Sequence, residues 1–342
     1  MKFIVVFKHT RIGILLILLV GTGLLLLDLD SRSMAKHKTP KVAIFKLSSR
    51  PLLDNTERGM IDGLKDNKFI DGHTIDITKY CAENDLPTAN TIAQTILNEK
   101  YDMVLTISTP IMQVMANANQ DGDIIQVFGA VTDPFASGVG LSREHPDQRP
   151  AWLAGIGTFQ PVEDALLIAR EMNPELKLLG VPWCSHEVCS EACVKIARVV
   201  ADRLGIELLE VTVDNSSGVY EAVQSLISRG AEAIWVGGDN TVEIAMDMIV
   251  KAARDGKIPV FCNNPDMPAK GALFGLGANY YQVGLASAKI AADILNGARP
   301  DTIPVENVVP EKLFINAGAL GGLKQKWALT EDLKSKADKI LN

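Results

Sequence analysis

Within ten residues the sequence gathers Cys184, His186, Glu187, Cys189 and Cys193. Three thiolates and an imidazole are a soft donor set of the kind that holds zinc or copper(I). On a helix, Cys189 and Cys193 lie one turn apart and share a face, within reach of a loop carrying Cys184 and His186. The same spacing equally admits a local disulfide, Cys184 with Cys189, or buried free thiols. Metal ligation, a disulfide and inert packing all remain open on spacing alone.

A second set of residues stands where short apolar runs end. Ser108-Thr109-Pro110 follows Met103-Val-Leu-Thr-Ile107, and Ala130-Val131-Thr132-Asp133-Pro134 follows Ile124-Ile-Gln-Val-Phe128. A hydroxyl before proline opens a helix, and the free N–H groups and dipole there suit a carboxylate or phosphate. Val236-Gly-Gly-Asp239-Asn240-Thr241 and Asn263-Asn264-Pro265-Asp266 close two later runs with acidic and amide groups. Asp239 can accept from a ligand ammonium, or serve only as a helix cap. Ser185, His186 and Glu187 also fall in a loop after such a run. Hydroxyls in one series and acids or amides in the other suit a zwitterion clamped between two surfaces.

Signatures of catalysis are missing. There is no Gly-x-Gly-x-x-Gly after the first run, no Walker loop and no Gly-x-Ser-x-Gly elbow. Of five histidines, His9 and His37 are in the N-terminal segment, His73 is in a turn and His145 in a polar loop. None is spaced as a base beside a nucleophile.

The elements that must position these loops alternate. Strands are expected at 41–45, 74–80, 103–107 and 124–128, with helices at 55–68, 88–98 (Thr88 as cap) and from Pro110. The rhythm restarts after 152–161: helix 162–172, strand 176–181, helix 187–204, strand 207–213, helix 217–228, strand 233–236, helix 242–254 and strand 259–262. Gly205, Gly230, Gly256 and Gly297 stand at helix ends. Strands alternating with helices indicate parallel sheets covered on both faces, here as two similar α/β lobes. Ligands of such sheets bind beyond the carboxyl ends of the strands, which is where the loops above fall.

At 342 residues, 47% of them hydrophobic, the chain is long enough for two domains. A formal charge of −7 gives no footprint for nucleic acid. Lys2, Lys8 and Arg11 precede an apolar run from Ile12 to Leu27, with Asp28 and Asp30 after it. That order describes a secretory signal or a signal anchor, slightly short of the ~20 residues that span a bilayer. Ser33-Met34-Ala35 offers a cleavage site, and no cysteine follows the run to carry a lipid. An extracytoplasmic, periplasmic protein is expected, tethered to the inner membrane if the segment is kept.

Ile61-Asp-Gly-Leu-Lys65, Thr88-Ala-Asn-Thr-Ile-Ala-Gln94, Thr109-Pro110 with Gln113, and Ala130-Val-Thr-Asp-Pro134 follow one another in order. Asp239-Asn-Thr241, Ile258-Pro-Val-Phe261, Gly271-Ala-Leu273, Tyr280-Tyr281 with Gly284, and Ile303-Pro-Val305 continue the series. In this order and spacing the chain, from Lys41 to Leu323, resembles the ABC-transporter substrate-binding proteins of tryptophan/tyrosine type. The resemblance implies a class I periplasmic-binding-protein fold: two Rossmann-like lobes, three hinge strands and a ligand cleft between the lobes. Residues 1–39 would be signal and linker, 40–157 with 281–309 the N-terminal lobe, and 158–280 with 310–342 the C-terminal lobe. It implies an amino acid or related carboxylate as ligand, bound by hinge closure, with a permease and an ATPase as partners and no cofactor. By analogy with amino-acid binders of this fold, Ser108, Thr109 and Thr132 would hold a carboxylate and Asp239 an ammonium. Ser49, Arg50, Asp133, Ser185, Asn240 and Asn263 complete the candidate set.

Two departures from the family pattern stand out. Arg50 puts a strong charge beside the cleft, where it would pair with a second carboxylate or with Glu57, and the Cys184–Cys193 cluster occupies a loop usually free of cysteine. Phe135, Trp183 and Tyr280 are the aromatic residues placed to stack on a ring. Other functions remain: a membrane-anchored ligand-sensing module, or a metal-handling protein using Cys184, His186, Cys189 and Cys193.

Overall fold

The computed structural model describes residues 39–342, together with Thr22; the apolar run at 12–27 and the cleavage site lie outside the described residues. Among the described residues no helix is long and apolar enough to cross a membrane.

The continuous apolar runs become parallel strands buried on both faces. β1 (Lys41–Lys46), β2 (Asp76–Cys81), β3 (Met103–Ile107), β4 (Ile125–Val131) and β5 (Leu153–Gly157) form one sheet in the order β2-β1-β3-β4-β5, parallel throughout. Every residue of central β3 is buried, whereas no residue of edge strand β2 is fully buried. Helices α1 (Pro51–Asp66), α2 (Leu86–Asn98) and α3 (Thr109–Ala118) connect these strands.

The second sheet is built from β6 (Leu178–Trp183), β7 (Glu207–Thr212), β8 (Ala233–Val236), β9 (Val260–Cys262), β10 (Phe274–Ala278), β11 (Glu311–Asn316) and β12 (Lys339–Leu341). Its order is β12-β11-β10-β9-β8-β6-β7, with β10 and β11 antiparallel and the other pairs parallel. α4 (Val162–Met172), α5 (Val188–Leu204), α6 (Val219–Ser228), α7 (Asn240–Ile244) and α8 (Met246–Gly256) belong to this half. Two apolar clusters flank the sheet, one around Trp235 and Phe261 and one around Val236 and Met246.

The chain crosses between the halves three times. It leaves the first sheet after β5 and returns after β10 as α9 (Tyr280–Leu295). It crosses back before β11. Return is possible because α9 lies backbone to backbone on α1. A Cβ at Gly59 would stand 2.1 Å from the Tyr281 carbonyl oxygen, and one at Gly284 would stand 2.2 Å from that of Thr56.

Several local expectations are corrected. Asp85, not Thr88, caps α2 and accepts from the Thr88 N–H at 2.8 Å. The helix expected over 242–254 is broken at Ala245 into α7 and α8. Lys257, not Gly256, takes the left-handed position after α8, with φ 56°. β5 and β10–β12 had no counterpart in the pattern of strands. In β10 the glycines explain the weak signal: a Cβ at Gly275 or Gly277 would meet the Asn264 or Asn263 carbonyl oxygen at 2.1 or 2.5 Å.

Candidate ligand-binding cleft

β3 is followed by Ser108, whose backbone takes φ 95° and ψ 156°, a region costly for any side chain. The turn aims the first-turn N–H groups of α3, which have no intrahelical acceptors, past the end of the sheet. Ser108 does not cap the helix with its side chain. Its hydroxyl is buried, with the residue 2% exposed, and has no hydrogen-bond partner among the described residues. Thr109 Oγ1 accepts from the Thr132 N–H at 3.3 Å, tying the ends of β3 and β4 together. Ala130, also at φ 54°, completes this wall.

The facing wall comes from β8, α5 and α7. Asp239 Oδ1 caps α7 by accepting from the Val242 N–H at 2.8 Å, and Oδ2 accepts from the Cys184 N–H and the Ser190 hydroxyl, both at 2.6 Å. Glu187 accepts from the Asn240 N–H at 3.0 Å and Nδ2 at 2.7 Å, and from the Thr241 N–H at 2.9 Å and hydroxyl at 2.6 Å. With Nδ2 committed to Glu187, the Asn240 carbonyl Oδ1 faces the other half, where it accepts from Arg50. Arg50 Nη1 also meets Glu243 Oε2 at 2.9 Å, with side chains 15% and 5% exposed. Asn264 Nδ2 donates to the same oxygen at 3.4 Å.

Arg50, Ser108, Thr109 and Thr132 on one side, and Cys189, Asp239, Asn240 and Glu243 on the other, enclose a cavity of about 30 Å³. Gln160 and Tyr280 close its back, with Gln160 Nε2 donating to the Tyr280 hydroxyl at 2.8 Å. A wider pocket of about 490 Å³ shares Arg50, Leu52 and Glu243 with it and opens past Ser48, Ser49, Asn264 and Met267.

Burial raises the Glu243 carboxyl to about 7; Arg50 opposes the rise, and Asp239 and Glu187 add to it. Burial, then the charge of Glu187, lifts Asp239 to about 6 against its three hydrogen bonds. Burial likewise pushes the Cys193 thiol up to about 12 and Cys189 well above its ordinary value. Such thiols are neutral and inert near neutrality.

The structure thus brings together Arg50, Ser108, Thr109, Thr132, Asp239 and Asn240, with Ser49 at the outer pocket. It does not bring in the others. Asp133 turns back to its own loop, accepting from the Phe135 and Ala136 N–H groups and pairing with Arg143. Ser185 is exposed and lines neither pocket; Ser190, one turn into α5, faces Asp239 in its stead. Asn263 is fully buried, accepting from Trp235 Nε1 and donating to the Pro161 and Leu276 carbonyls. Arg50 does not pair with Glu57, which is held by Lys46 at 2.7 Å and Lys79 at 2.9 Å.

Of the aromatic candidates only Tyr280 reaches the cleft. Arg143 lies 4.5 Å from the Phe135 ring centre and Arg198 5.7 Å from that of Trp183, both outside the cavity. All five cysteines are free thiols. His186 is exposed and 3.7 Å from Asp214, and among the described residues no group of three or more His, Cys, Asp or Glu side chains could hold a metal. Cys184, His186, Cys189 and Cys193 are thus not gathered as a ligand set among the described residues. Glu243 and Gln160 are cleft residues that the sequence reading missed. Glu243 carried a local signal, a carboxylate one turn after the Asp239 cap.

Two mainly parallel sheets, three crossings and a polar cleft at the strand ends define a periplasmic-binding-protein fold. The chain belongs to the ABC transporter substrate-binding protein family, whose profile matches residues 41–341. It is a substrate-binding component of an ABC transporter, from a family of transport binding proteins rather than enzymes, which typically work outside the cytoplasm. It is 28% identical over 305 residues to the tyrosine-binding protein of Clostridioides difficile, covering 89% of this chain and 87% of that one. The crystal structure of a conserved domain protein from Vibrio cholerae is 30% identical, with a TM-score of 0.83 over 89% of this chain and 100% of that one. An ABC domain from Streptococcus pneumoniae, solved with L-Trp, is 23% identical with a TM-score of 0.82 over the same shares, a likeness of fold.

Proposed function

We propose that this protein binds an α-amino acid in the cleft and presents it to a membrane permease driven by an ATPase. The observation that carries the reading is the pairing of opposites across one cavity. On one side is the buried, unpartnered Ser108 hydroxyl at the start of α3, and on the other the buried carboxylate of Glu243. The ligand carboxylate would take Ser108, the first-turn N–H groups of α3 and Thr132. The ammonium would take Glu243, with Asp239 behind it. The side chain would extend into the outer pocket against Pro51, Leu52, Ile244 and Met267.

An aromatic amino acid is the ligand favoured by the relatives, one named for tyrosine and one solved with L-Trp. A lobe of 40–157 with 281–309 and another of 158–280 with 310–342 would close on it by bending at the three crossings. The protein would work in the periplasm, held at the inner membrane if its N-terminal segment is retained.

Isothermal titration with L-tyrosine and L-tryptophan, and with their deaminated and esterified analogues, tests the reading. Binding is expected only when both charged ends are present. Loss of either end should cost about tenfold to a hundredfold in affinity, since a hydrogen bond to a charged group contributes about 1.5–3 kcal/mol. A deaminated analogue that binds as tightly as its parent would overturn the assignment.

A further inference from the structure

Gln160 stands on the first crossing between the halves, after β5 and before α4. The crossing is fastened just ahead of it: the Thr158 N–H donates to the Val131 carbonyl at 2.6 Å, and the Phe159 N–H to Asn307 Oδ1 at 2.7 Å. Gln160 itself is 8% exposed and lines the inner cavity with Ser108, Asp239 and Glu243. Its amide is held from two directions. Nε2 donates to the Tyr280 hydroxyl at 2.8 Å. The stem lies against Gly238, where a Cβ would stand 2.8 Å from Gln160 Cγ and 3.2 Å from Nε2. With Nε2 committed, Oε1 remains as an acceptor, buried and without a hydrogen-bond partner among the described residues. A folded chain rarely leaves such a group unsatisfied without a use for it. The neighbouring acceptors are taken. Asp239 is bonded by the Val242 and Cys184 N–H groups and the Ser190 hydroxyl, and Arg50 donates to Asn240 and Glu243.

We propose that Gln160 is a specificity-determining residue of the cleft, whose Oε1 accepts an N–H of the ligand's ammonium beside Glu243. The inference rests on the cleft being the amino-acid site and adds the residue that reads the amine. An ammonium carries three N–H donors, and one carboxylate does not use them all. Glu243 supplies the opposite charge, and the Gln160 amide, fixed by Tyr280 and Gly238, supplies a direction. It also sets which way round the ligand lies. A bare amide oxygen repels a carboxylate, so the carboxylate end belongs at Ser108 and the start of α3, and the ammonium at Gln160. A ligand lacking the amine leaves Oε1 buried without a donor, which is the form of mismatch that polar sites reject most strongly. Because Gln160 lies on a crossing, the same contact joins the ligand to a segment on which the two halves would turn.

Displacement calorimetry on the full chain tests the proposal, with L-tyrosine and its deaminated counterpart, hydroxyphenylpropionate. The quantity read is the ratio of the two affinities in the natural protein, in Gln160→Met and in Tyr280→Phe. Gln160→Met keeps the length of the side chain and removes the acceptor, so the preference for L-tyrosine is expected to fall about tenfold. Tyr280→Phe keeps the amide but frees it to turn, and a smaller fall in the same direction is expected. Circular dichroism checks each variant, and Tyr280→Phe carries the test should Gln160→Met fail to fold. Two ligands weakened alike, with the ratio unchanged, would show that Gln160 only shapes the cavity and would overturn the inference. A natural protein that binds both ligands equally, or neither, sinks the amino-acid reading itself. A natural protein that discriminates, beside variants that discriminate just as well, sinks the role of Gln160 alone.

Discussion

If the ammonium of the ligand is held by Glu243, affinity must follow the ionisation of that carboxyl. The groups facing it are Arg50 from the opposite wall, Asn264 after β9, and Asp239 and Glu187 from its own side. Burial outweighs Arg50, and Glu243 is raised to about 7. With that value roughly one tenth of the protein is ionised at pH 6 and nine tenths at pH 8, so binding should tighten about tenfold across the interval. A free amino acid keeps both its charges at the lower end of this range, so the slope there belongs to the protein. Calorimetry at pH 6, 7 and 8, in buffers of different ionisation heat, reads both the affinity and the protons released; near pH 7 about half a proton per ligand is expected. The same group gives the ligand-free protein an opposite slope. A carboxyl raised from 4.5 to about 7 contributes stability that is full below pH ~4.5 and lost as pH rises through 7, on the order of a few kcal/mol. Binding should thus strengthen while unliganded stability, followed by urea unfolding, declines. A constant affinity between pH 6 and 8, or a pH profile retained in Glu243→Gln, would refute the placement of the ammonium.

Two further outcomes are expected. Ser108→Gly removes the side chain from a φ of 95°, where strain costs on the order of 1–3 kcal/mol, so thermal unfolding should shift upward while amino-acid affinity falls about tenfold or more. A variant that lost stability and kept its affinity would show that the Ser108 hydroxyl serves the fold instead. Asp239→Ala should cost about 2 kcal/mol or more in chemical denaturation even without ligand, because it removes the cap of α7 and strands the Cys184 N–H and Ser190 hydroxyl. Unchanged stability with lost binding would return Asp239 to the role of a direct ammonium ligand.

The expected and observed features divide by the range of the interactions that make them. β3 was legible because a strand buried on both faces is a continuous apolar run, and its five residues are all buried. The post-strand loops were legible for the same reason, since a parallel sheet puts its ligand side at the strand ends. β10 was not, because glycines chosen for contact with the Asn263 and Asn264 carbonyls erase the apolar pattern that marks a strand. Within the cleft, residue type alone could not separate Asn263 from Asn240. Both are amides in loops after strands, but one spends its side chain on Trp235 and two carbonyls while the other faces Arg50.

Arg50 shows most clearly where local reasoning stops. Glu57, about two turns along the next helix, was a reasonable partner by sequence distance. Lys46 in β1 and Lys79 in β2 already claim that carboxylate, and a third cation there would repel both. Arg50 has instead a carboxylate from the far half of the chain, and the choice depends on two lobes being brought face to face. That dependence has a functional consequence. A contact formed only when the lobes meet cannot stabilise either lobe by itself, so its whole effect falls on the equilibrium between open and closed forms. Charged side chains whose partners lie in the other half of the chain, Arg50 and Glu243 among them, are therefore where control of that equilibrium is to be sought.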